Sequence, residues 1–510
     1  MPTIDSVLTR ARAATPDAIA VHEWDSGRTV TYADLDDRVS MLAGFLRARG
    51  IRHGARVGLH LPNGADFLTS QFGALRAGTV ATYINHRLLP AEAARQAAIA
   101  EAAAVITTAE RAEAFRDDPA LRRALIIIAG SSGVTTLGPS LADVLAAPGD
   151  GTPLSPAGIQ DDDAILRFTS GTTGRPKGVV VSHRQWLIRA TSILAEEIRV
   201  ERGSTTMVLG PLSHQAGLFV LPTFMRRGTL LVFERFDLES VRTALVSQPV
   251  ARTQMVPTML KMFLQDRATV DVIRRSGLSE VIYGGSPIEA GVLAQALDDM
   301  PKVDFVQVYG SHEAGSISCL DGPDSRNPLL RSSAGRPFLA AAVRIAAPKD
   351  GGGWGEIEVS APWTPRARLT ENGREAVDTE WIGTGDLGEI HEGYIYLKDR
   401  ANDVIVSGGF NVYPSEVEDT INRCPGVISS AVVSAPDPKW GERVIAFVIT
   451  SDRSVMESGA LEQHCRAHLA NFKVPKEFHP IAEIPVNPNG KPDRRRLGEP
   501  YWRGRERRIN

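Results

Sequence analysis

Apolar positions recur at spacings of three and four from residue 30, where Tyr32, Leu35, Val39, Leu42, Ala43 and Leu46 form one stripe. Thr31 and Asp34 are placed to cap that stripe and Gly50 to end it, so the pattern predicts a helix. Residues 56–61 lack a helical period and read as a buried strand, followed by a turn at Pro62-Asn63-Gly64. Helical spacing returns over 67–77 and 91–103, and strand-like runs occupy 80–84, 105–108 and 125–129. Strands alternating with helices of this length predict parallel α/β layering. The alternation resumes with strands at 207–209, 230–233 and 253–257 and helices at 236–247 and from Met259.

Two stretches break the rhythm. Residues 130–162, rich in Gly, Pro, Ser and Asp with one short helix near 141–145, predict a surface connection. After Gly335-Arg336-Pro337, strands with glycine turns at 343–345 and 356–359 predict a small β-rich subdomain over about 335–400. Residues 404–510 alternate again (strands 428–434 and 444–449, helix 461–469), as a compact α+β C-terminal domain would. The expected fold is therefore α/β: a large domain of layered sheets over 1–400, then a small second domain.

Composition narrows the partners. A chain of 510 residues needs two or three cores, and 43% hydrophobic with 23% charged residues is an ordinary globular balance. A net charge of −3 provides no basic field for nucleic acid or anionic lipid. Cys319, Cys424 and Cys465 are odd in number and lack CxxC spacing, which argues against a disulfide framework or structural zinc. The polar N-terminus is unlike a signal peptide, and no apolar run approaches a membrane span. A cytoplasmic protein without membrane insertion is expected, with a homodimer left open.

One stretch carries the clearest chemistry. The run at 164–168 leads into Thr169, Ser170, Gly171, Thr172, Thr173, Gly174 and Arg175, then Pro176, Lys177 and Gly178, and leaves through a β-branched strand at 179–181. Glycines bring backbone N–H groups close to an anion, the hydroxyls add donors, and Lys177 adds a charge. A Walker loop is excluded, since Pro176 stands where a glycine should precede the lysine and Gly178 where the Mg-binding hydroxyl should follow. Two later strands also empty into candidate site residues: Gly284, Gly285, Ser286 and Pro287, then Tyr309, Gly310, Ser311, His312 and Glu313. A flat ligand fits against paired glycines, tyrosine stacks on a purine, and a carboxylate beside phosphate holds Mg²⁺. Asp386, between glycines and hydrophobics, suits the two hydroxyls of a ribose.

At residues 167–183, RFTSGTTGRPKGVVVSH, the chain resembles the phosphate loop of the adenylate-forming superfamily, which includes acyl-CoA and aryl-CoA synthetases, and the resemblance runs over nearly the whole chain. It implies catalytic roles for Lys177, His214 and Lys491, the last on a Pro/Gly/Asn turn near the C-terminus. It implies nucleotide contacts from residues 169–174, Lys177, residues 284–287, Tyr309 to His312, Asp386, Arg400 and Lys491, with Mg²⁺ on Glu313. The acid pocket it implies is lined by His214, Ala216, Gly217, Leu218, Met255, Gly284, Gly315 and Ile317. A hinge falls at 401–403, centred on Asn402, and Gly408 and Gly409 border the tunnel for the acceptor. The chain departs from the pattern where His312 replaces a threonine, Ser213 an aromatic, and Asn402 an Asp or Lys.

The implied activity is an ATP-dependent ligase that forms an acyl-adenylate, releases pyrophosphate and passes the acyl group to coenzyme A. Small and apolar pocket residues favour an aromatic, alicyclic or medium-chain monocarboxylic acid. Two alternatives share the first half-reaction: attack by an amine to form an amide, and loading of a carrier-protein thiol.

Overall fold

The computed structural model describes residues 2–130, 137–147, 159–169, 176–286, 288, 290–346, 354–365, 367–400, 403–408, 410–451, 454–457, 459–486 and 492–503. These fall into two compact units, one of residues 1–342 and 359–382, the other of 343–358 and 383–510.

The first unit holds two large sheets. In the eight-stranded sheet the order is Gly373–Ala376, Ala367–Thr370, Lys177–Ser182, Asp163–Thr169, Val80–Tyr83, Arg56–His60, Ala104–Thr108 and Leu125–Ala129. Its last five strands are mutually parallel, and Lys177–Ser182 runs antiparallel to Asp163–Thr169. The nine-stranded sheet runs Arg336–Pro337, Gly315–Leu320, Asp304–Ser311, Glu280–Gly284, Val250–Met255, Thr205–Val208, Thr229–Val232, Ile19–Glu23 and Thr29–Thr31, with antiparallel pairs at its margins. One hydrophobic core joins Val57, Leu59 and Ile106 of the first sheet to Val21, Val208 and Leu230 of the second. Burying such side chains contributes about 1.5–3 kcal/mol each, which drives the layering that the alternating pattern implies.

Local signals were accurate where a side chain closes its own hydrogen bond. Thr31 and Asp34 form the expected capping box of helix Tyr32–Ala48. This helix approaches Ala65–Arg76 closely because a Cβ at Gly73 would stand 2.7 Å from Leu42. Where expectation and structure differ, a cap or a backbone reversal intervenes. Helix Pro90–Ile99 stops short of the predicted 103 because Glu101 turns left-handed (φ 47) into strand Ala104–Thr108. Helix Leu238–Ser247 starts two residues late because the Asp237 carboxylate accepts the Ser240 N–H. The hairpin of Ala367–Thr370 and Gly373–Ala376 adds to the strand that carries Lys177, a pairing that no local pattern announces.

In the second unit, strands Ala342–Ile345, Gly355–Ser360, Ile382–His391 and Tyr394–Arg400 form one sheet in that order. A second sheet orders Phe410–Val412, Ile405–Ser407, Gly441–Thr450 and Val427–Asp437, with Glu477–Pro480 also on Gly441–Thr450. Helices Pro414–Asn422 and Ala460–His468 bury Val417, Ile421, Leu461 and Cys465 against Val432, Val444 and Val448. The three cysteines are free. Among the described residues, no helix is long and apolar enough to cross a membrane.

The Arg76 guanidinium, 2% exposed, locks the N-terminal helix Asp5–Ala14 in place. It donates to Asp5 at 3.0 and 2.9 Å, to Asp36 and to Ser40. Burial lifts the Asp5 carboxyl above its ordinary value and Arg76 opposes that shift. Arg76→Met strands the buried Asp5 carboxylate, at a cost of about 3–5 kcal/mol, while Asp36 keeps its partner Arg12. The expected result is a lower melting temperature with faster hydrogen exchange across residues 5–14; unchanged exchange there contradicts the lock.

Candidate functional site

Four adjacent parallel strands, Thr205–Val208, Val250–Met255, Glu280–Gly284 and Asp304–Ser311, end at one edge of the nine-stranded sheet. Each releases residues singled out from the sequence. Beyond Thr205–Val208 come His214, Ala216, Gly217 and Leu218; Val250–Met255 ends on Met255; Glu280–Gly284 runs into Gly285 and Ser286; Asp304–Ser311 ends in Tyr309, Gly310 and Ser311. Ligands of parallel sheets bind at such carboxyl ends, where backbone donors diverge.

The Asp304–Ser311 strand turns back at once into Gly315–Leu320, with Ser311 opposite Gly315, so His312, Glu313 and Ala314 form the hairpin turn. The Ser311 hydroxyl accepts the Ala314 N–H at 2.9 Å and tightens it. A Cβ at Gly310 would lie 2.3 Å from the Gly315 carbonyl oxygen, so only glycine lets the strands meet there. The turn holds Glu313 half-buried and brings the His312 ring to 5.7 Å, centre to centre, from His214. Ser213 Oγ lies 3.0 Å from His214 Nδ1. Asn63, from the early turn, accepts the Leu212 N–H and donates to the Gly210 carbonyl, which fixes the segment carrying both.

The pocket residues differ in setting. At Gly284 a Cβ would meet the Val308 carbonyl and the Gln215 amide, at 2.4 and 2.9 Å. Gly217 faces the Leu212 carbonyl just as closely, and Leu218 is partly buried beside Phe219 and Ile282. Ala216, Ile317 and Met255 are buried, Met255 inside the cluster of Tyr283, Phe263 and Leu260. Gly315 (φ 82) presses on Trp363, whose Nε1 donates to the Ser316 carbonyl at 3.0 Å.

Thr169 and Lys177 are paired across adjacent antiparallel strands, so Lys177 stands at the start of the outgoing strand. Ser170, Gly171, Thr172, Thr173, Gly174, Pro287, Asn402, Gly409 and Lys491 lie outside the described residues, as does the Thr169 side chain. In the second unit, Asp386 and Arg400 stand opposite each other on paired strands, 3.6 Å apart. Glu356 supports them by accepting the Gly385 N–H at 3.0 Å. Gly408 (φ 61) packs against Trp440, where a Cβ would approach to 2.7 Å. Among the described residues no cluster of three His, Cys, Asp or Glu side chains could cage a metal.

Three site neighbours went unread in the sequence: Arg167, Trp186 and Arg189. The Arg167 and Arg189 guanidiniums lie 4.9 and 5.9 Å from the Trp186 ring centre, and Arg189 Nε donates to Ser316 Oγ at 3.0 Å. The signal was a charged residue inside the run Ala164-Ile165-Leu166-Arg167-Phe168 and another on helix His183–Ser192, which the Ser182–Gln185 capping box starts.

The sequence profile of the AMP-binding enzyme family matches residues 8–366, and that of the AMP-binding enzyme C-terminal domain matches residues 416–491. A feruloyl-CoA synthase of an Amycolatopsis species is 34% identical over 494 residues, covering 94% of this chain and 95% of its own. The long-chain-fatty-acid–CoA ligase FadD13 of Mycobacterium tuberculosis is 32% identical over 514 residues, covering 98% and 99%. The solved structure of the amide bond synthetase McbA from Marinactinospora thermotolerans superposes with a TM-score of 0.83 at 28% identity, covering 97% of this chain and 99% of its own.

The wall formed by Gly315 is open to a direct test. Gly315→Ala carries a backbone penalty of about 1–2 kcal/mol and a steric one of about 1–3 kcal/mol from Trp363. Gly373→Ala, at φ 102 with nothing within 4 Å, carries only the first. Chemical denaturation is expected to show Gly315→Ala as the more destabilised; equal losses contradict the packing described.

Proposed function

The chain belongs to the AMP-binding enzyme family, and from that premise we propose an ATP-dependent carboxylic acid ligase that forms an acyl-adenylate, releases pyrophosphate and passes the acyl group to coenzyme A. The observation that carries this reading is the convergence of His214, Gly284 and the Tyr309–Glu313 hairpin on one edge of parallel strands. Two relatives that span nearly the whole chain bear the names of CoA ligases.

The roles follow from the chemistry of each group. Hydroxide leaves a carboxylate poorly, whereas AMP leaves an acyl-adenylate well, so the enzyme's task is to position ATP and spread its charge. In this reading residues 169–174 and Lys177 hold the β- and γ-phosphates. Adenine lies between residues 284–287 and Tyr309, and the ribose lies on Asp386 and Arg400. His312 takes the place beside the α-phosphate where the family pattern has threonine. Glu313 would hold Mg²⁺, one carboxylate being enough because Mg²⁺ keeps waters and substrate oxygens as its other ligands, and the ion bound there would supply neutralisation of phosphate charge. Lys491 steadies the carboxylate and the α-phosphate. A cytoplasmic location fits an odd number of cysteines without CxxC spacing.

The acceptor step requires the domain beyond Asn402 to turn, with moving parts 1–400 and 404–510. In the structure, bonds span the residues flanking this hinge. The Ser415 N–H donates to Asp399 at 2.8 Å, its hydroxyl to the Lys398 carbonyl at 2.7 Å, and Lys398 lies 3.6 Å from Glu416. A turn about Asn402 must break these contacts before Gly408 and Gly409 can face the acceptor. The likeness to McbA gives direct attack by an amine a specific basis as the second reading.

Pyrophosphate exchange over a panel of acids, followed by addition of CoA or of amines, tests the assignment. A thioester formed only with CoA supports the main reading, and an amide formed in its place supports the second. Lys491→Ala is expected to reduce exchange at least about a hundredfold with ATP binding nearly intact; exchange at the parental rate removes Lys491 from this role. Asn402→Pro is expected to suppress thioester formation far more than exchange, and equal loss of both contradicts a turning domain.

A further inference from the structure

Among the described residues, strand Tyr394–Arg400 is an edge of its four-stranded sheet, paired only with Ile382–His391. The pairing shifts near its end: Gly388 faces Leu397 and Leu387 faces Asp399, so Lys398 is a bulged residue without a partner across the ladder. A bulge takes backbone out of the ladder and re-aims a side chain. The Lys398 carbonyl accepts the Ser415 hydroxyl at 2.7 Å, and Asp399 Oδ2 accepts the Ser415 N–H at 2.8 Å. The Lys398 ammonium stands 3.6 Å from Glu416 Oε2 and 5.2 Å from the ring centre of Tyr413. Tyr413, Ser415 and Glu416 belong to the start of helix Pro414–Asn422. The bulged edge of a strand that precedes residues 401–403 is therefore held by the beginning of a helix that follows them.

Each charge in this contact keeps a partner when the two sides part. Lys398 retains the Trp354 ring, 5.5 Å away on its own side of residues 401–403. Glu416 retains Lys473, 2.5 Å from Oε1, on the other side. Its Oε2 is buried without a hydrogen bond in the closed contact, so release returns that oxygen to water. Asp399 divides its oxygens: Oδ1 accepts the Arg400 N–H at 2.8 Å, and Oδ2 crosses to Ser415. Separating an ion pair is costly when a charge is left buried alone, and none of these is. The crossing pair Lys398–Glu416, with side chains 26% and 29% exposed, holds weakly. The firm part is Ser415, whose N–H and hydroxyl each form a crossing hydrogen bond. As the second residue of its helix, Ser415 has an N–H without an intrahelical acceptor, so on release it passes to water.

We propose that Ser415, with Lys398, Asp399 and Glu416 around it, is a release latch: it holds helix Pro414–Asn422 on the bulged strand edge before the acceptor step and lets go at little cost. The strength of this serine's two bonds then sets how readily the C-terminal domain turns. The inference rests on the ligase reading above, in which that turn brings Gly408 and Gly409 to the acceptor. Ser415 acts as a positioning residue and touches no reacting atom.

Two measurements on the full chain test the latch. Hydrogen exchange in the ligand-free protein, relative to intrinsic rates, should be about two- to tenfold faster over residues 411–418 in Ser415→Ala, and less so in Lys398→Met. Helix Ala460–His468 should be unchanged in both. In single-turnover transfer from preformed adenylate to the acceptor the enzyme uses, CoA or an amine, Ser415→Ala should be faster by a similar factor. The KM values for ATP and acid should stay within about twofold of the parent. Ser415→Thr, which keeps the hydroxyl, should restore both readouts. Unchanged exchange over 411–418 in Ser415→Ala overturns the latch. Faster exchange throughout the C-terminal domain marks these bonds as general stabilisation and overturns it as well, as does unchanged or slower transfer beside faster local exchange. If no acid yields an adenylate, the ligase reading fails, and the hydrogen-exchange result judges the latch by itself.

Discussion

Parallel backbone pairing between Thr205–Val208, Val250–Met255, Glu280–Gly284 and Asp304–Ser311 brings four chain segments, far apart in sequence, to a common edge with their carboxyl ends aligned. The ladder permits little else. A slip of one residue would swap side chains between the two buried faces of these strands, taking Met255 and Tyr283 out of the cluster they fill. Hydrophobic burial therefore sets the register, and the register sets where His214, Gly284 and Glu313 stand. The site inherits its geometry from the core, so it needs few contacts of its own to keep its shape.

How much of this could be read beforehand depended on the range of the interaction. Strand and helix alternation, the Thr31 capping box and the glycine-lined strand ends are written in neighbouring residues, and they were legible. Asp386 and Arg400 were both identified, but their facing positions follow from strand pairing across a register shift near Leu387 and Gly388. Asn63 was read as part of a turn; its amide holds the His214 segment 147 residues away at Gly210, a distance no local pattern spans. Arg167 was present in an apolar run and passed over because its neighbours fit a strand.

The buried charges are of two kinds. Arg76 and Arg252 end in carboxylates supplied by the fold and act as fasteners between elements. Arg167 and Arg189 lean on an aromatic ring, which accepts a cation without matching its hydrogen bonds.

The hairpin of Ala367–Thr370 and Gly373–Ala376, laid along the outer side of Lys177–Ser182, makes the first unit discontinuous in sequence. During synthesis the large sheet that bears Lys177 must wait, one flank open, while the chain from 343 to 358 emerges and is set aside for the other unit. Exposed strand flanks invite pairing with other chains. The finished sheet ends instead in the charged pair Arg374 and Glu375, a margin that discourages such pairing. Order of emergence from the ribosome, and not only the final contacts, thus bears on whether this protein reaches its folded form.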